Sequence, residues 1–472
     1  MKPKNNLILL YQKLFLGFML LFTSVLFISC SEDIKQEIIF EAGVVDTIHF
    51  NYSNQAHIAV PIKIDSTVYD FLFDTGASTT LFDDEIAMES TSNHTSIFMD
   101  YYGEKRTERL IWPEKIELGK VSFLNFKNFQ QTGLSIDGIL GNNILRELCW
   151  VIDFKNDRIY VTNNIKNLKL QLGKGLPFTL RNNIVYVNAQ IGSDTVPLII
   201  DTGDPTAAIR MNNRNMGEDR KVDMIKWKYY RDPLNIYNES KPVVEDSSYE
   251  TILPLKLGDR IYGDELVKYV NYREHAGVGL GFLSRFEKVI FDYPNHKLYF
   301  LGEGHKTVAY HIEANEAING SGVWVGLQNS LVVVKGLSNQ AQNEGLKLGD
   351  TVIGVDEVVF PKSLRDDFFQ EQKELMNYIN KTDIDSTVQS FEEIKNSKFM
   401  QLTTKLRNLD TVAVLHVKRK KEFVNLAVKP KVNFDKFPDT FQTYTQFNLD
   451  YLPILYTKGH MYKKPHIYFK KE

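Results

Sequence analysis

Cysteine is almost absent from this chain of 472 residues, which contains only Cys30 and Cys149. A disulfide framework of the kind that holds small secreted domains together is therefore excluded. Cys149 lies in the apolar run Leu148–Val151 and is predicted to be a buried core thiol, because an unpaired cysteine packs as a small hydrophobic side chain. With 43% hydrophobic and 24% charged residues, the composition is that of an ordinary globular protein.

Excess charge and two common hydrolase motifs are also missing. The 56 Lys and Arg residues nearly balance the 59 Asp and Glu residues, and the net charge of −3 argues against a nucleic-acid-binding protein. The chain contains neither His-Glu-x-x-His nor Gly-x-Ser-x-Gly, so it shows no sign of a zinc peptidase or a serine hydrolase. We expect no metal and no cofactor.

An apolar stretch near the N-terminus is too short to be a typical membrane-spanning helix. Residues 14–29 carry no charge, and Lys2, Lys4 and Lys13 precede them. A positively charged start followed by a short apolar segment is typical of a signal peptide.

The end of this stretch resembles the processing site of bacterial lipoproteins. Ser29 precedes Cys30, although Phe27 stands where such sites usually have Leu. The resemblance implies that residues 1–29 are removed and that Cys30 is acylated. Residues 30–45 would then form a tether to a membrane of the bacterial cell envelope. A plain signal peptide or an uncleaved anchor is the alternative.

One short motif occurs twice. Residues 71–78 read Phe-Leu-Phe-Asp-Thr-Gly-Ala-Ser, and residues 198–205 read Leu-Ile-Ile-Asp-Thr-Gly-Asp-Pro. In each copy, three apolar residues predict a buried strand, and the Gly permits a sharp turn after it. A carboxylate at the end of a buried strand is costly unless it is paired or used, so we expect Asp74 and Asp201 to meet in one site. A simple Asp-Gly turn without chemistry is the alternative.

The repeat extends beyond the two motifs. Upstream, residues 58–68 and 185–196 both read as strand, tight polar turn and strand. Downstream, residues 139–160 and 279–299 both place Leu-Gly before an apolar strand. We therefore predict an internal duplication of one lobe.

Both halves of the duplication resemble the aspartic proteases of the retropepsin-like class. Asp-Thr-Gly-Ala-Ser after apolar residues, with a later apolar-apolar-Gly, carries the resemblance. It implies a mostly β, two-lobed acid-protease barrel fold, with lobe 1 at residues 46–165 and lobe 2 at residues 166–302. Each lobe would supply one catalytic aspartate. Both lobes lie in one chain, as in pepsin-like enzymes, so we expect a monomer.

The resemblance also assigns roles to the residues that follow each aspartate. Thr75 would brace the two loops against each other, Gly76 would allow the turn, and Ser78 would hydrogen-bond the outer oxygen of Asp74. The supporting residues of the two loops are Thr75, Gly76, Ser78, Thr202 and Gly203.

Lobe 2 departs from the family pattern directly after its Asp-Thr-Gly. Asp204 and Pro205 stand in place of Ala and Ser. This adds a carboxylate close to Asp201 and removes both a hydroxyl and a backbone donor. Thr206 is a potential substitute for the missing Ser.

A tyrosine pair follows each aspartate at a similar distance along the chain, within residues 98–105 and 227–232. Aspartic proteases place a hairpin flap over the substrate in this region, and a tyrosine there can pack on a peptide and donate its hydroxyl. Ordinary cross-strand packing is the alternative. The flap candidates are Tyr101, Tyr102, Tyr229 and Tyr230.

A third domain is predicted over residues 305–430. Residues 341–353 read Ala-Gln-Asn-Glu-Gly-Leu-Lys-Leu-Gly-Asp-Thr-Val-Ile, which resembles the PDZ domains attached to bacterial proteases. The resemblance implies an α+β module that binds a peptide as an added strand. We expect a charged, largely helical insertion at 362–405 and an aromatic-rich C-terminal extension at 431–472. Gly279–Phe282 also spells a PDZ-type loop, but its flanks assign it to lobe 2.

The resemblance implies a membrane-tethered aspartic endopeptidase. Asp74 and Asp201 would share one proton around a water, since two adjacent carboxylates do not both ionise easily. One would take a proton from the attacking water while the other polarised the peptide carbonyl. The expected partners are a peptide or protein substrate, a peptide ligand of the PDZ-like domain and the membrane. The alternative is an inactive, peptide-binding lipoprotein with a protease-like fold.

Overall fold

The computed structural model describes residues 36–52, 57–64, 66–86, 91–99, 105–126, 129–134, 136–204, 208–214, 216, 224–231, 244–271, 275–303, 321–328, 331–359, 405–406, 409 and 411–430. The predictions for Cys30, for Tyr101 and Tyr102, for the insertion between 362 and 404 and for the extension at 431–472 lie outside these ranges. None of the helices in the described ranges is both long enough and apolar enough to cross a membrane.

The described chain is mostly β, as the sequence predicts. The strands of the first half are β1 (Glu37–Ile39), β2 (Asp46–His49), β3 (Asn51–Tyr52), β4 (Ile58–Ile64), β5 (Thr67–Phe73), β6 (Leu81–Asp83), β7 (Thr91–Met99), β8 (Lys105–Ile111), β9 (Lys115–Leu118), β10 (Val121–Leu124), β11 (Phe129–Thr132), β12 (Gly138–Leu140), β13 (Cys149–Asp153) and β14 (Arg158–Thr162). The strands that follow are β15 (Leu176–Pro177), β16 (Thr179–Arg181), β17 (Ile184–Ile191), β18 (Asp194–Ile200), β19 (Ile209–Asn212), β20 (Ile225–Arg231), β21 (Val244–Leu257), β22 (Arg260–Val270), β23 (Ala276–Val278), β24 (Phe286–Asp292) and β25 (Lys297–Glu303). The last strands are β26 (Val323–Gln328), β27 (Leu331–Ser338), β28 (Thr351–Val355), β29 (Val358–Val359), β30 (Ala413–Arg419) and β31 (Glu422–Val428). The short helices are α1 (Asn142–Leu145), α2 (Leu280–Leu283), α3 (Asn339–Asn343) and the 3-10 turns η1 (Ile165–Leu168) and η2 (Tyr293–Asn295).

The duplication seen in the sequence is also a duplication of strand order. The first repeat runs β4-β5-β12-β6-β11-β8-β7, and the second runs β17-β18-β23-β19-β22-β21-β20. In both, the strand that leads into Asp-Thr-Gly pairs in parallel with a later strand, Leu72 opposite Ile139 and Ile199 opposite Gly277. A parallel partner on an apolar strand buries it between two neighbours, which explains why these strands read as continuous apolar runs.

The two repeats are joined by a six-stranded sheet in the order β15-β25-β24-β13-β14-β2. Its centre pairs one strand of each repeat, with Trp150 opposite Phe291. Trp150, Phe154 and Phe291 are completely buried. Burial of one such aromatic side chain contributes roughly 2–3 kcal/mol, so this shared core ties the repeats together. Cys149 is also completely buried there, as predicted.

The third part of the chain, β26 to β31, has a hydrophobic core of its own that includes Val334, Leu337 and Leu415. Its strand β27 nevertheless pairs antiparallel with β20, and Trp227 lies opposite Ser338. One sheet therefore runs from β16 in the second repeat to β31. Because β20 has a hydrogen-bonded neighbour on each side, the third region and the second repeat share a strand ladder that the sequence does not reveal.

Candidate active site

The two Asp-Thr-Gly loops occupy equivalent places in the two repeats. Asp74 directly follows β5, and its backbone N–H donates to the carbonyl of Leu140 at 3.1 Å. Asp201 directly follows β18, and its N–H donates to the carbonyl of Val278 at 3.0 Å. Each loop is therefore fixed at its first residue by the last residue of the neighbouring parallel strand.

Thr75 and Thr202 hold the two loops against each other. The Thr75 hydroxyl accepts from the N–H of Thr202 at 3.0 Å and donates to the carbonyl of Ile200 at 2.7 Å. The Thr202 hydroxyl accepts from the N–H of Thr75 at 3.0 Å and donates to the carbonyl of Phe73 at 2.7 Å. Both side chains are completely buried, so these hydrogen bonds form without competition from water. The bracing role assigned to Thr75 matches this geometry, and Thr202 has the mirror role.

The glycines of the two loops leave room for the opposite carboxylate. A Cβ atom on Gly76 would overlap the carboxylate of Asp201, and a Cβ atom on Gly203 would overlap the carboxylate of Asp74. Neither glycine is among the residues with positive φ. We expected Gly76 to be needed for the turn, and the structure shows instead that a side chain would keep the two aspartates apart.

The carboxyl groups of Asp74 and Asp201 are hydrogen-bonded to each other. Asp74 also accepts from the N–H groups of Gly76 at 2.8 Å and Ala77 at 3.0 Å, and Asp201 accepts from the N–H of Gly203 at 3.0 Å. Removal from water raises the pKa of Asp74, and its hydrogen bonds with Gly76, Ala77 and Asp201 oppose the rise. Two adjacent carboxyl groups with one raised pKa form the arrangement that shares a proton.

Ser78 does not take the place expected for it. Among the described residues, the hydrogen-bond partners of the Asp74 carboxyl are the backbone N–H groups of Gly76 and Ala77 and the carboxyl of Asp201. The Ser78 hydroxyl is not among them. Instead, the carbonyl of Ser78 accepts from the Asn183 side chain of the second repeat at 3.2 Å.

Asn142 and Tyr293 support the first loop, and the sequence analysis missed both. The Asn142 side chain donates to the carbonyl of Thr75 at 2.7 Å and to that of Ala77 at 3.1 Å. The Tyr293 hydroxyl donates to Asn142 Oδ1 at 2.5 Å. Burial raises the pKa of Tyr293 well above its ordinary value, and the charge of Asp74 adds to the rise. Tyr293 belongs to the second repeat, so it carries a buried hydrogen-bond chain from one repeat to the loop of the other.

The reason for missing Asn142 is a register error of two residues. The sequence comparison matched Leu140-Gly141 with Leu280-Gly281. In the structure, Gly141 corresponds to Gly279, since each precedes its short helix, α1 or α2. Asn142 then corresponds to Leu280. A polar residue in one repeat at a position where the other repeat has leucine is the sequence signal that could have identified Asn142. The segment Gly279–Phe282 lies beside the second loop, as its flanks indicated.

His57 is a third missed residue. It precedes β4 in the first repeat, is 7% exposed, and forms a hydrogen bond with the backbone of Gly203 in the loop of the second repeat. Burial lowers the pKa of His57 to about 4, and the bond to Gly203 opposes the drop. The imidazole is therefore neutral at pH 7 and adds no charge beside the aspartates.

Asp204, where lobe 2 departs from the family pattern, forms an ion pair within the fold. Asp204 Oδ1 lies 2.7 Å from Arg210 Nη2, and the two side chains are 0% and 3% exposed. The Asp204 charge raises the pKa of Asp74 further. Pro205 and Thr206 lie outside the described residues.

Tyr229 lies in the middle of a sheet and not at a hairpin tip. It is 6% exposed, faces Gly336 across the β20–β27 pairing, and has Lys268 Nζ 5.1 Å from its ring centre. This is the cross-strand packing that the sequence left open. Tyr230 follows it on the same strand.

Similarity to known proteins does not indicate a function for this site. No family model matches the chain, and no curated protein matches it. Within the described ranges, no group of three or more His, Cys, Asp or Glu side chains is placed to hold a metal ion.

Proposed function

We propose that the chain is an aspartic-type endopeptidase with a two-lobed acid-protease fold. The observation that carries the proposal is the pairing of Asp74 and Asp201, with each loop braced by the threonine of the other. Carboxyl groups held in hydrogen-bond contact in a partly buried site are suited to general acid–base catalysis on a bound water.

In the proposed reaction, one carboxyl group of the dyad holds the shared proton and the other is ionised, and the two pKa values belong to the pair. The ionised group removes a proton from water as the water oxygen attacks the peptide carbonyl, while the protonated group donates its proton to the carbonyl oxygen. The tetrahedral diol then loses its C–N bond. The leaving nitrogen takes a proton from the group that received one from water, and the other group recovers one from the diol hydroxyl, which leaves a carboxylic acid and an amine.

The other parts of the proposal concern location and partners. The third region is proposed to be a PDZ-like peptide-binding module, supported by the motif at residues 341–353 and by the separate core of β26 to β31. The protein is proposed to be held at a membrane of the bacterial cell envelope through acylated Cys30. It would act as a monomer, because both aspartates come from one chain.

A peptide-library digestion with the detergent-solubilised full chain from pH 3 to 8 tests the proposal. Asp74→Asn and Asp201→Asn should each abolish cleavage, and a statine-type transition-state analogue should inhibit the wild type. Asp84→Asn is the matched control, because Asp84 is an exposed aspartate in a turn and should tolerate the same change.

The second candidate is a non-catalytic peptide-binding protein, favoured by the replacement of Ala and Ser with Asp204 and Pro205. Absence of cleavage at every pH, in a folded protein that still binds peptides, would establish this candidate and exclude the first. Cleavage that survives Asp201→Asn would show that the second loop is not catalytic.

A further inference from the structure

The ion pair between Asp204 and Arg210 is the feature of the site that the proposed mechanism leaves unused. Both side chains are almost completely buried, and their charged atoms are 2.7 Å apart. Such a pair contributes little net stability, because the cost of removing two charges from water offsets their attraction. A role other than stability is therefore worth seeking.

The first repeat shows what the same positions contain without the pair. The N–H of Asn142 donates to the carbonyl of Ala77 at 2.9 Å, as that of Leu280 donates to Asp204 at 2.7 Å. Ala77 therefore corresponds to Asp204. Gly277 corresponds to Ile139, because each lies two residues before the glycine that precedes the short helix. Leu81 lies opposite Ile139 as Arg210 lies opposite Gly277, so Arg210 corresponds to Leu81.

The ion pair is therefore a paired replacement of Ala and Leu that occurs in one repeat only. Packing alone does not require it, because the first repeat builds the same loop and strand with apolar side chains at these positions. The difference makes the electrostatic surroundings of the two aspartates unequal.

Asp204 lies in the same turn as Asp201, since its backbone N–H donates to the carbonyl of Asp201 at 3.3 Å. The charge of Asp204 raises the pKa of Asp74. A negative charge next to the dyad disfavours loss of the shared proton, because full ionisation would place three carboxylates together.

Other ionisable groups that face this part of the site do not cancel the effect. On β22, Lys268 lies beside Arg210, and its Nζ lies 3.5 Å from Glu250 on β21, with both side chains 1% exposed. Those two charges therefore balance each other. His57 is neutral above about pH 4, and Tyr293 is neutral throughout the acidic and neutral range.

We propose that the Asp204–Arg210 pair keeps the shared proton on the Asp74–Asp201 dyad to a higher pH than two aspartates alone would hold it. The upper pH limit of catalysis is thereby moved toward neutrality. This inference rests on the proposed peptidase function for its effect on catalysis, but the effect on the dyad's proton is independent of it.

The double substitution Asp204→Ala with Arg210→Leu tests the inference, because it installs the pair that the first repeat contains. The full chain in detergent is labelled with carboxyl-¹³C aspartate and titrated by NMR, and the Asp74→Asn spectrum assigns the dyad. The pH profile of kcat/KM is measured in parallel. The matched control is Glu265→Gln with Arg285→Gln, a second largely buried pair whose closest atoms are 2.6 Å apart.

We expect the upper pKa of the dyad and the alkaline limb of the profile to fall together by about one pH unit, a tenfold loss of proton affinity. The control should leave both unchanged. An unchanged upper pKa in the folded double variant overturns the inference. If the wild type cleaves no peptide, the proposed function fails, and the NMR titration still decides between these two outcomes.

Asp204→Asn keeps the test decisive if the double variant does not fold. Asn retains the shape of the side chain and can still accept a hydrogen bond from Arg210, but it removes the negative end of the pair. The remaining positive charge should lower the upper pKa of the dyad by more than the double substitution does. A folded Asp204→Asn protein with the wild-type value contradicts the inference.

Discussion

Thr75 and Thr202 exchange hydrogen bonds symmetrically, each hydroxyl accepting from the backbone N–H of the other at 3.0 Å. The two residues are 127 positions apart in sequence, and together they make the pairing of the aspartates a property of two loops locked as one unit. This unit is the part of the molecule on which the proposed chemistry depends most directly.

Thr75→Val should weaken the connection between the two loops while leaving the side-chain volume almost unchanged. The valine would leave the N–H of Thr202 and the carbonyl of Ile200 buried without partners, at a cost of about 2–4 kcal/mol in the free energy of unfolding. Urea denaturation measures this loss. Thr179→Val, at an exposed strand position, should change stability by less than 0.5 kcal/mol, as surface changes roughly do. Equal effects of the two substitutions would contradict the buried exchange.

Gly76→Ala should abolish the carboxyl–carboxyl contact, because the added methyl would occupy space that Asp201 fills. We expect at least about a hundredfold loss of kcat/KM, since small displacements of catalytic groups have effects of this order. Gly173→Ala is the control, because a Cβ atom there meets nothing within 4 Å. Peptidase assays on both variants compare them, and a fully active Gly76→Ala protein would show that the close contact is not required.

His57 should make the folded protein sensitive to acid. Its pKa is about 4 in the folded state and 6.5 in the unfolded chain, so the unfolded state binds the proton first as the pH falls. Stability from this group is complete above about pH 6.5 and declines by roughly 3 kcal/mol as the pH falls to 4. His57→Gln should remove this part of the decline in denaturation curves recorded from pH 4 to 7.

His49 is the control for this measurement. It is exposed and is the last residue of β2 in the six-stranded sheet that joins the repeats. His49→Gln should keep the wild-type dependence of stability on pH. A decline that persists unchanged in His57→Gln would mean that other groups cause the acid sensitivity.

Tyr229 should matter for stability and not for substrate contact. Tyr229→Phe keeps the aromatic ring on β20, the strand between β21 and β27, and should retain the wild-type kcat/KM. Tyr229→Ala leaves a cavity in the sheet that joins the second repeat to the third region, at a cost of about 3–5 kcal/mol. Activity assays and thermal unfolding of the two variants separate the roles. A large loss of kcat/KM in Tyr229→Phe would restore the flap assignment.

The sequence alone determined the repeat, the mostly β character and the choice of Asp74 and Asp201. These features are local: an apolar run before Asp-Thr-Gly dictates a buried strand that ends in a carboxylate, and two copies imply a shared site. The structure places both aspartates as expected. It differs at Ser78, whose hydroxyl does not reach Asp74.

Only the tertiary structure decided which residues surround the aspartates. His57 contacts Gly203, Tyr293 contacts Asn142, and β20 pairs with β27. These partners are distant in sequence, and no local pattern marks a single polar side chain that becomes buried against another repeat. Propensity and periodicity describe a segment and its own neighbours, whereas the charge and hydrogen bonding at a carboxyl group depend on whichever segments the fold brings to it.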